Sequence, residues 1–243
     1  MRASIGPVKV ARILPAGCLV AALLAWMGCR PPPRMCAQES DCGAQASCVA
    51  GRCVAHGANP AIDTAQRIVV SPVDVGWVSR ERGGSPSVAT LGRAGEPSAA
   101  FLRFALPLPP ELNVLEAYVV LERVASVDAD AAGVALHAAP VISPWDGASL
   151  SWARQPRIEE VGSPLTRVPA SASPLVRIDV RDLVLRWRRR NRDDLGLAIL
   201  ADTTSATGIA VALAPTDVAG DRDDPLLGGP RQLGGPRLEA YVK

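Results

Sequence analysis

From Asp63 onward the apolar residues of this chain recur at every second position in short runs separated by Gly, Pro and Asp clusters, a pattern that few folds accommodate. A pleated strand turns alternate side chains to opposite faces, so runs of this kind predict strands and not helices. In Ala99–Leu106 the alternation gives Phe101 and Arg103 to one face and Leu102 and Phe104 to the other. In Leu115–Leu121 it sets Leu115, Ala117, Val119 and Leu121 against Glu116, Tyr118 and Val120, with Glu122 following on the same side as the latter. The same reading predicts strands over 67–70, 134–138, 175–180, 196–201, 209–214 and 237–242. About 180 residues are enough for one well-buried domain. Some eight strands with turn signals between them predict an all-β, jelly-roll-like antiparallel β-sandwich.

One segment departs from the period of two. In DVRDLVLRWRRRN, Val180, Leu183, Val184 and Trp187 fall on one face of a helix, Asp179 can cap its start, and Arg188, Arg189 and Arg190 sit in the last turn, where positive charge complements the helix dipole. This predicts one short amphipathic helix packed across an end of the sandwich. The arginine run reads as a solvated helix end and not as a site for an anionic partner.

The other end of the chain reads as an address. Arg2, Lys9 and Arg12 precede an uncharged run of 16 residues, Ile13–Gly28, which is the outline of a signal peptide. The run contains Pro15 and falls short of the roughly 20 apolar residues that a spanning helix needs. Leu23–Cys29 resembles a bacterial lipobox, in which a diacylglycerol is attached to Cys29; Gly28 fits that pattern, while Trp26 and Met27 depart from it. Pro31, Pro32 and Pro33 then form a stiff, extended spacer. Arg30 after Cys29 is not the Asp that retains lipoproteins in the inner membrane of enteric bacteria, which points to the outer membrane. Loss of the three signal cations leaves 23 basic against 24 acidic residues, so the formal charge of +2 becomes −1 and no nucleic-acid footprint is expected.

Six cysteines divide between these parts. Cys18 leaves with the signal, Cys29 takes lipid, and Cys36, Cys42, Cys48 and Cys53 remain as an even set, for which export makes disulfides the default. Their spacing, C-x5-C-x5-C-x4-C, lacks the short knuckle of structural zinc sites, and no histidine lies among them. Four cysteines allow three pairings. The crossed one, Cys36 with Cys48 and Cys42 with Cys53, knits so short a piece best. The expected organisation is a signal peptide over 1–28, a Pro-rich tether over 29–35, a disulfide module over 36–54, a linker over 55–66 and the sandwich over 67–243.

Two resemblances can be named on these residues. CAQESDCGAQASCVAGRC resembles small cysteine-rich modules found after signal peptides in myxobacterial surface proteins. The region from about Val88 to Lys243 resembles the DNRLRE domain, a jelly-roll module related to carbohydrate-binding modules. Phe101-Leu102-Arg103-Phe104 with the Leu106–Pro109 turn, Trp145-Asp146 with Leu150-Ser151-Trp152 and Pro156, Ile178-Asp179-Val180 through Trp187 to Gly196-Leu197-Ala198, and Pro236–Tyr241 carry the second likeness. Ala105, Asp146 and Arg181 stand where that family has Asp, Glu and Thr, and its early asparagine-glycine block is not recognisable. The likeness implies a non-catalytic envelope module that binds an extracellular or cell-wall glycan. The alternative is a structural or protein-interaction module of the cell surface that binds no carbohydrate.

Candidate ligand residues follow from the same comparison of roles. Trp145 and Trp152 recur in the family block and read first as packing, whereas Trp77, in VDVGWVS, is the freer candidate for an exposed sugar platform. An aromatic content of 4% is low for a strong sugar binder. The loop Asp128–Gly133 echoes a calcium loop without its closing Glu, and Asp217, Asp221, Asp223 and Asp224 form a second acidic loop. Both read as solvated turns, so no cofactor is expected, with calcium the one ion these loops leave open. His137 reads as a strand residue, and Glu159-Glu160 and Asp193-Asp194 as acids facing water. No nucleophile elbow, P-loop, dinucleotide fingerprint or metalloprotease helix is present.

Overall fold

A computed structural model of the chain describes residues 36, 41–49, 51–58, 61, 64–105, 108–109, 111–124, 133–168, 175–190, 195–202, 204–218 and 231–243. Arg34–Lys243 form one compact unit. Residues 1–35 lie outside the described residues, and with them the expected signal peptide, Cys29 and the expected tether.

Within the second unit the chain forms an antiparallel β-sandwich. One sheet has six strands, β4 (Pro72–Ser79), β5 (Gly83–Gly84), β7 (Ser98–Phe104), β9 (Val134–Pro140), β10 (Thr166–Val168) and β12 (Leu197–Ala201), in the order β10-β9-β12-β7-β4-β5. The other has four, β3 (Gln66–Val70), β8 (Val114–Glu122), β11 (Leu175–Asp179) and β16 (Arg237–Val242), in the order β11-β8-β16-β3. Successive strands change sheet from β7 to β8, from β8 to β9 and from β11 to β12, the alternation of a jelly-roll-like sandwich. An antiparallel pair distant in sequence, β6 (Val88–Leu91) with β13 (Ile209–Ala212), joins the small sheet through the bridge from Arg123 to Val211. β14 (Thr216–Val218) pairs with β15 (Arg231–Leu233).

The expected alternation sets the core. Ala100, Leu102 and Phe104 of β7, Leu136 and Ala138 of β9, and Leu197 and Ile199 of β12 face Ala117, Val119 and Leu121 of β8, Ile178 of β11, and Leu238, Ala240 and Val242 of β16 in one buried cluster. The predicted helix, α1 (Arg181–Arg190), forms as read. Asp179 Oδ1 accepts the Arg181 N–H at 3.0 Å, and Val180, Leu183 and Val184 are buried in the core with Trp187 packed at its edge. Glu159 corrects the expectation of a water-facing acid, because Arg186 of this helix binds its Oε2 at 3.1 Å.

Strand β4 went unread in the sequence, since Pro72 and Gly76 look like turn residues. The glycine marks a close approach instead: a Cβ on Gly76 would collide with the Leu150 side chain and touch the Trp145 ring. Those two residues belong to a long connection, residues 141–165, that lies on the outer face of the six-stranded sheet. There Val78, Ala99, Phe101 and Ala198 form a second buried cluster with Val141, Trp145 and Leu150. The large sheet is therefore buried on both sides. Leu238→Ala, fully buried in β16, is expected to lower unfolding free energy by about 2–5 kcal/mol in a denaturant titration, whereas Val161→Ala, at an exposed position of the connection, should stay within about 0.5 kcal/mol.

Candidate functional site

The three tryptophans weighed as ligand candidates have three different fates. Trp77 alternates inward from β4, is 9% exposed in the core, and donates its Nε1–H to the Thr90 carbonyl at 3.3 Å. This removes Trp77 as a candidate for an exposed platform: on β4 the outward positions belong to Asp74, Gly76 and Val78, so period-two geometry turns Trp77 to the inside. Trp145 is also 9% exposed and locks the connection to the large sheet. Its ring stacks tilted on Phe101 with centroids 5.8 Å apart, its Nε1–H is donated to the Leu195 carbonyl at 2.6 Å, and the Arg103 guanidinium lies 5.4 Å from its ring centre. Arg103 in turn pairs with Asp74 at 2.7 Å, and Asp74 Oδ1 accepts the Gly147 N–H at 3.3 Å. Trp152, 37% exposed, sits on a short helical turn after Ser151, which packs against Gly83 of the β4–β5 hairpin.

The cysteines meet as the crossed reading expects. Cys36 pairs with Cys48 and Cys42 with Cys53, with Cα atoms 5.8 and 5.2 Å apart, inside the ordinary span for disulfides. The sulfurs of Cys36, Cys42 and Cys53 lie within 4.8 Å of one another. As cystine sulfurs they lack the thiolate charge that holds zinc. Cys48 and Cys53 face each other across a hairpin of β1 (Ala46–Val49) and β2 (Arg52–Ala55). Of the candidate calcium loops, Asp128–Ala132 and the run 219–230 with Asp221, Asp223 and Asp224 lie outside the described residues, as does the pair Asp193-Asp194. His137 Nδ1 lies 2.9 Å from Asp202 Oδ2 on the adjoining strand end.

Sequence reasoning missed a concentration of charge on the outer face of the small sheet. Glu239 of β16 is 0% exposed. Its Oε1 accepts from Arg67 at 2.6 Å and from Arg237 at 3.0 Å, its Oε2 lies 3.9 Å from Arg177 Nε, and Arg237 reaches on to Glu122 at 3.1 Å. Burial pushes the Glu239 carboxyl up, but the bonds and charges of Arg67, Arg237 and Arg177 outweigh it and hold the group below the usual carboxylate range. Burial pulls the Arg177 guanidinium down against the opposing pull of Glu239. Beside them, burial and then the charge and hydrogen bond of Glu116 hold the Tyr118 hydroxyl well above its ordinary value. The signal in the sequence was the alternation itself, which puts Arg177, Arg237 and Glu239 on the face opposite the core.

A groove of about 640 Å³ opens where β3 passes to β4, lined by Pro72, Asp74, Pro86, Leu213, Pro215 and Pro236 among others. Its four prolines offer no N–H donors, and Asp74 is already engaged by Arg103. No aromatic side chain lines it. No protein-family model matches the sequence, and no curated protein matches it either.

Glu239 allows a test with a defined sign. Its folded-state affinity for a proton is lowered, so its contribution to stability is present above the unfolded value of about 4.3 and is lost as pH falls through the lower folded value. Glu239→Gln leaves the arginines of the cluster without their buried counter-charge and is expected to cost about 3–5 kcal/mol at neutral pH. The gap between variant and wild type in urea titrations should shrink below about pH 4.

Proposed function

We propose that this chain is an exported envelope lipoprotein, anchored through acylated Cys29 to the outer membrane, whose DNRLRE-type sandwich is a non-catalytic module that docks onto another envelope protein. The paired cystines support export, since disulfides persist where thiols are not kept reduced. One observation carries docking over glycan stacking. Of the six large apolar side chains most exposed among the described residues, four (Ile142, Trp152, Val161 and Leu165) belong to the single connection over the large sheet. Apolar groups gathered on one surface element mark contact surfaces. Of the three aromatic candidates for stacking, Trp77 and Trp145 are spent on packing and only Trp152 stays exposed.

Glycan binding is the second reading, favoured by exposed Trp152 and by a groove whose volume falls in the range of small-molecule sites, about 300–1,000 Å³. The partners separate in one experiment on the full chain. Photo-crosslinking from position 161 in intact cells should yield a discrete protein adduct that the Leu165→Ser, Ile142→Ser variant loses, while envelope and matrix polysaccharides fail to retain the protein. Polysaccharide retention that Trp152→Ala abolishes would replace docking with glycan recognition. The anchor has its own arm: Cys29→Ser is expected to move the protein from the membrane fraction to the soluble fraction with loss of the acyl mass.

A further inference from the structure

The outer face of the small sheet carries a row of charge that should face water, yet its centre is dry. Arg177, Val120 and Arg237 stand side by side across β11, β8 and β16, with Tyr118 and Glu239 in the next row. Glu239 is fully buried and the Arg177 side chain is 11% exposed. Arg177 Nε and Glu239 Oε2 are two of the three buried side-chain polar atoms without a hydrogen-bond partner among the described residues. Leaving such atoms dry is costly, so something must hold water off them.

The cystine hairpin lies against Arg177. Gly51, at its tip, is buried in the left-handed region with φ 79°, and a Cβ placed on it would sit 2.5 Å from Arg177 Nη1 and 3.0 Å from Cζ. Cys36 donates its N–H to the Gly51 carbonyl at 2.9 Å and is itself buried, and the charge of Arg52 is felt at Tyr118. The module and the sandwich thus make one compact unit, where the sequence suggested a module hung on a linker. Its means of holding shape are slight. The strands are four residues long, and Cys36 and Val49 are its only described hydrophobic residues in the core. A lone two-stranded hairpin is marginal in water, and cystines replace the core that so small a piece lacks.

We propose that this face is a redox-gated interface whose occupant is the chain's own cystine hairpin: a dithiol reductant that opens Cys36–Cys48 and Cys42–Cys53 unseats the hairpin and uncovers Arg177 and Glu239. Each disulfide takes two electrons and two protons from one dithiol, giving two cysteine thiols and the reductant's own disulfide, and no other bond changes. The inference does not depend on lipid anchoring or on the nature of the partner.

The test uses the full chain, oxidised or reduced with dithiothreitol and then alkylated with iodoacetamide. Phenylglyoxal labelling of arginines is read by peptide mass spectrometry, with far-ultraviolet circular dichroism as the control for the sandwich. Arg177 should be nearly silent in the oxidised chain and label about tenfold faster after reduction, as expected when a local cover opens, while exposed Arg80 labels alike in both. Gly51→Arg, with both disulfides intact, should raise Arg177 labelling without any reductant. Unchanged Arg177 labelling after complete alkylation, unchanged labelling in Gly51→Arg, or loss of the sandwich signal on reduction would each overturn the proposal, the last because a gate requires the sandwich to outlast its cover.

Discussion

A two-layered sandwich has one interior and two outer faces, and this chain buries side chains on all of them. Strand β7 shows the constraint most plainly: Ala100, Leu102 and Phe104 fill the interior, while Ala99 and Phe101 are equally hidden on the other side. Burying both faces of a sheet yields a nearly continuous apolar strand and obliges the chain to supply a cover. The connection over 141–165 is that cover, and Trp145 fastens it through Phe101, the Leu195 carbonyl and the Arg103–Asp74 pair. Glycine at position 76 leaves the room that Leu150 and Trp145 occupy.

The small sheet solves the same problem with charge. Its outer face carries Glu239 among three arginines, an arrangement in which desolvation opposes Coulomb attraction and removal of one member is far worse than replacement of all. Such a cluster favours one register over its neighbours, because a slip of one residue along β16 would turn Glu239 into the apolar core. The hairpin over it is small and stapled, whereas the connection over the large sheet is long and held by packing. The two covers therefore differ in what can release them.

How much of this the sequence disclosed follows from the physics of each part. Period two and period 3.6 are local signals, so the eight expected strands and the helix were legible, as were the two faces of β7 and of β8 from Ala117 on; at the start of β8 a bulge against β16 puts Val114 in the core in place of Leu115. The pairing of Cys36 with Cys48 and Cys42 with Cys53 was legible because the piece is too short to leave much choice. Strand β4 was hidden by Pro72, which reads as a turn residue, and by Gly76, whose place is set by a contact with residues some seventy positions on. Trp77 was misread with it. The salt cluster joins Arg67 to Glu239, 172 residues away, and no local pattern records such a meeting.

Among the described residues, the cover over the large sheet carries four of the six most exposed large apolar side chains, and the proline-lined groove lies at the sandwich edge. The claim that the 141–165 connection is a fixed layer of the fold is most directly tested by hydrogen exchange of its backbone amides in the native chain. Val141 donates to Gly196, Ile142 to Arg157 and Gly147 to Asp74, so these three amides should exchange nearly as slowly as those of β7. Exchange at the rate of an unstructured peptide, with β7 still protected, would show that the connection is a loose loop and that the large sheet has an open outer face.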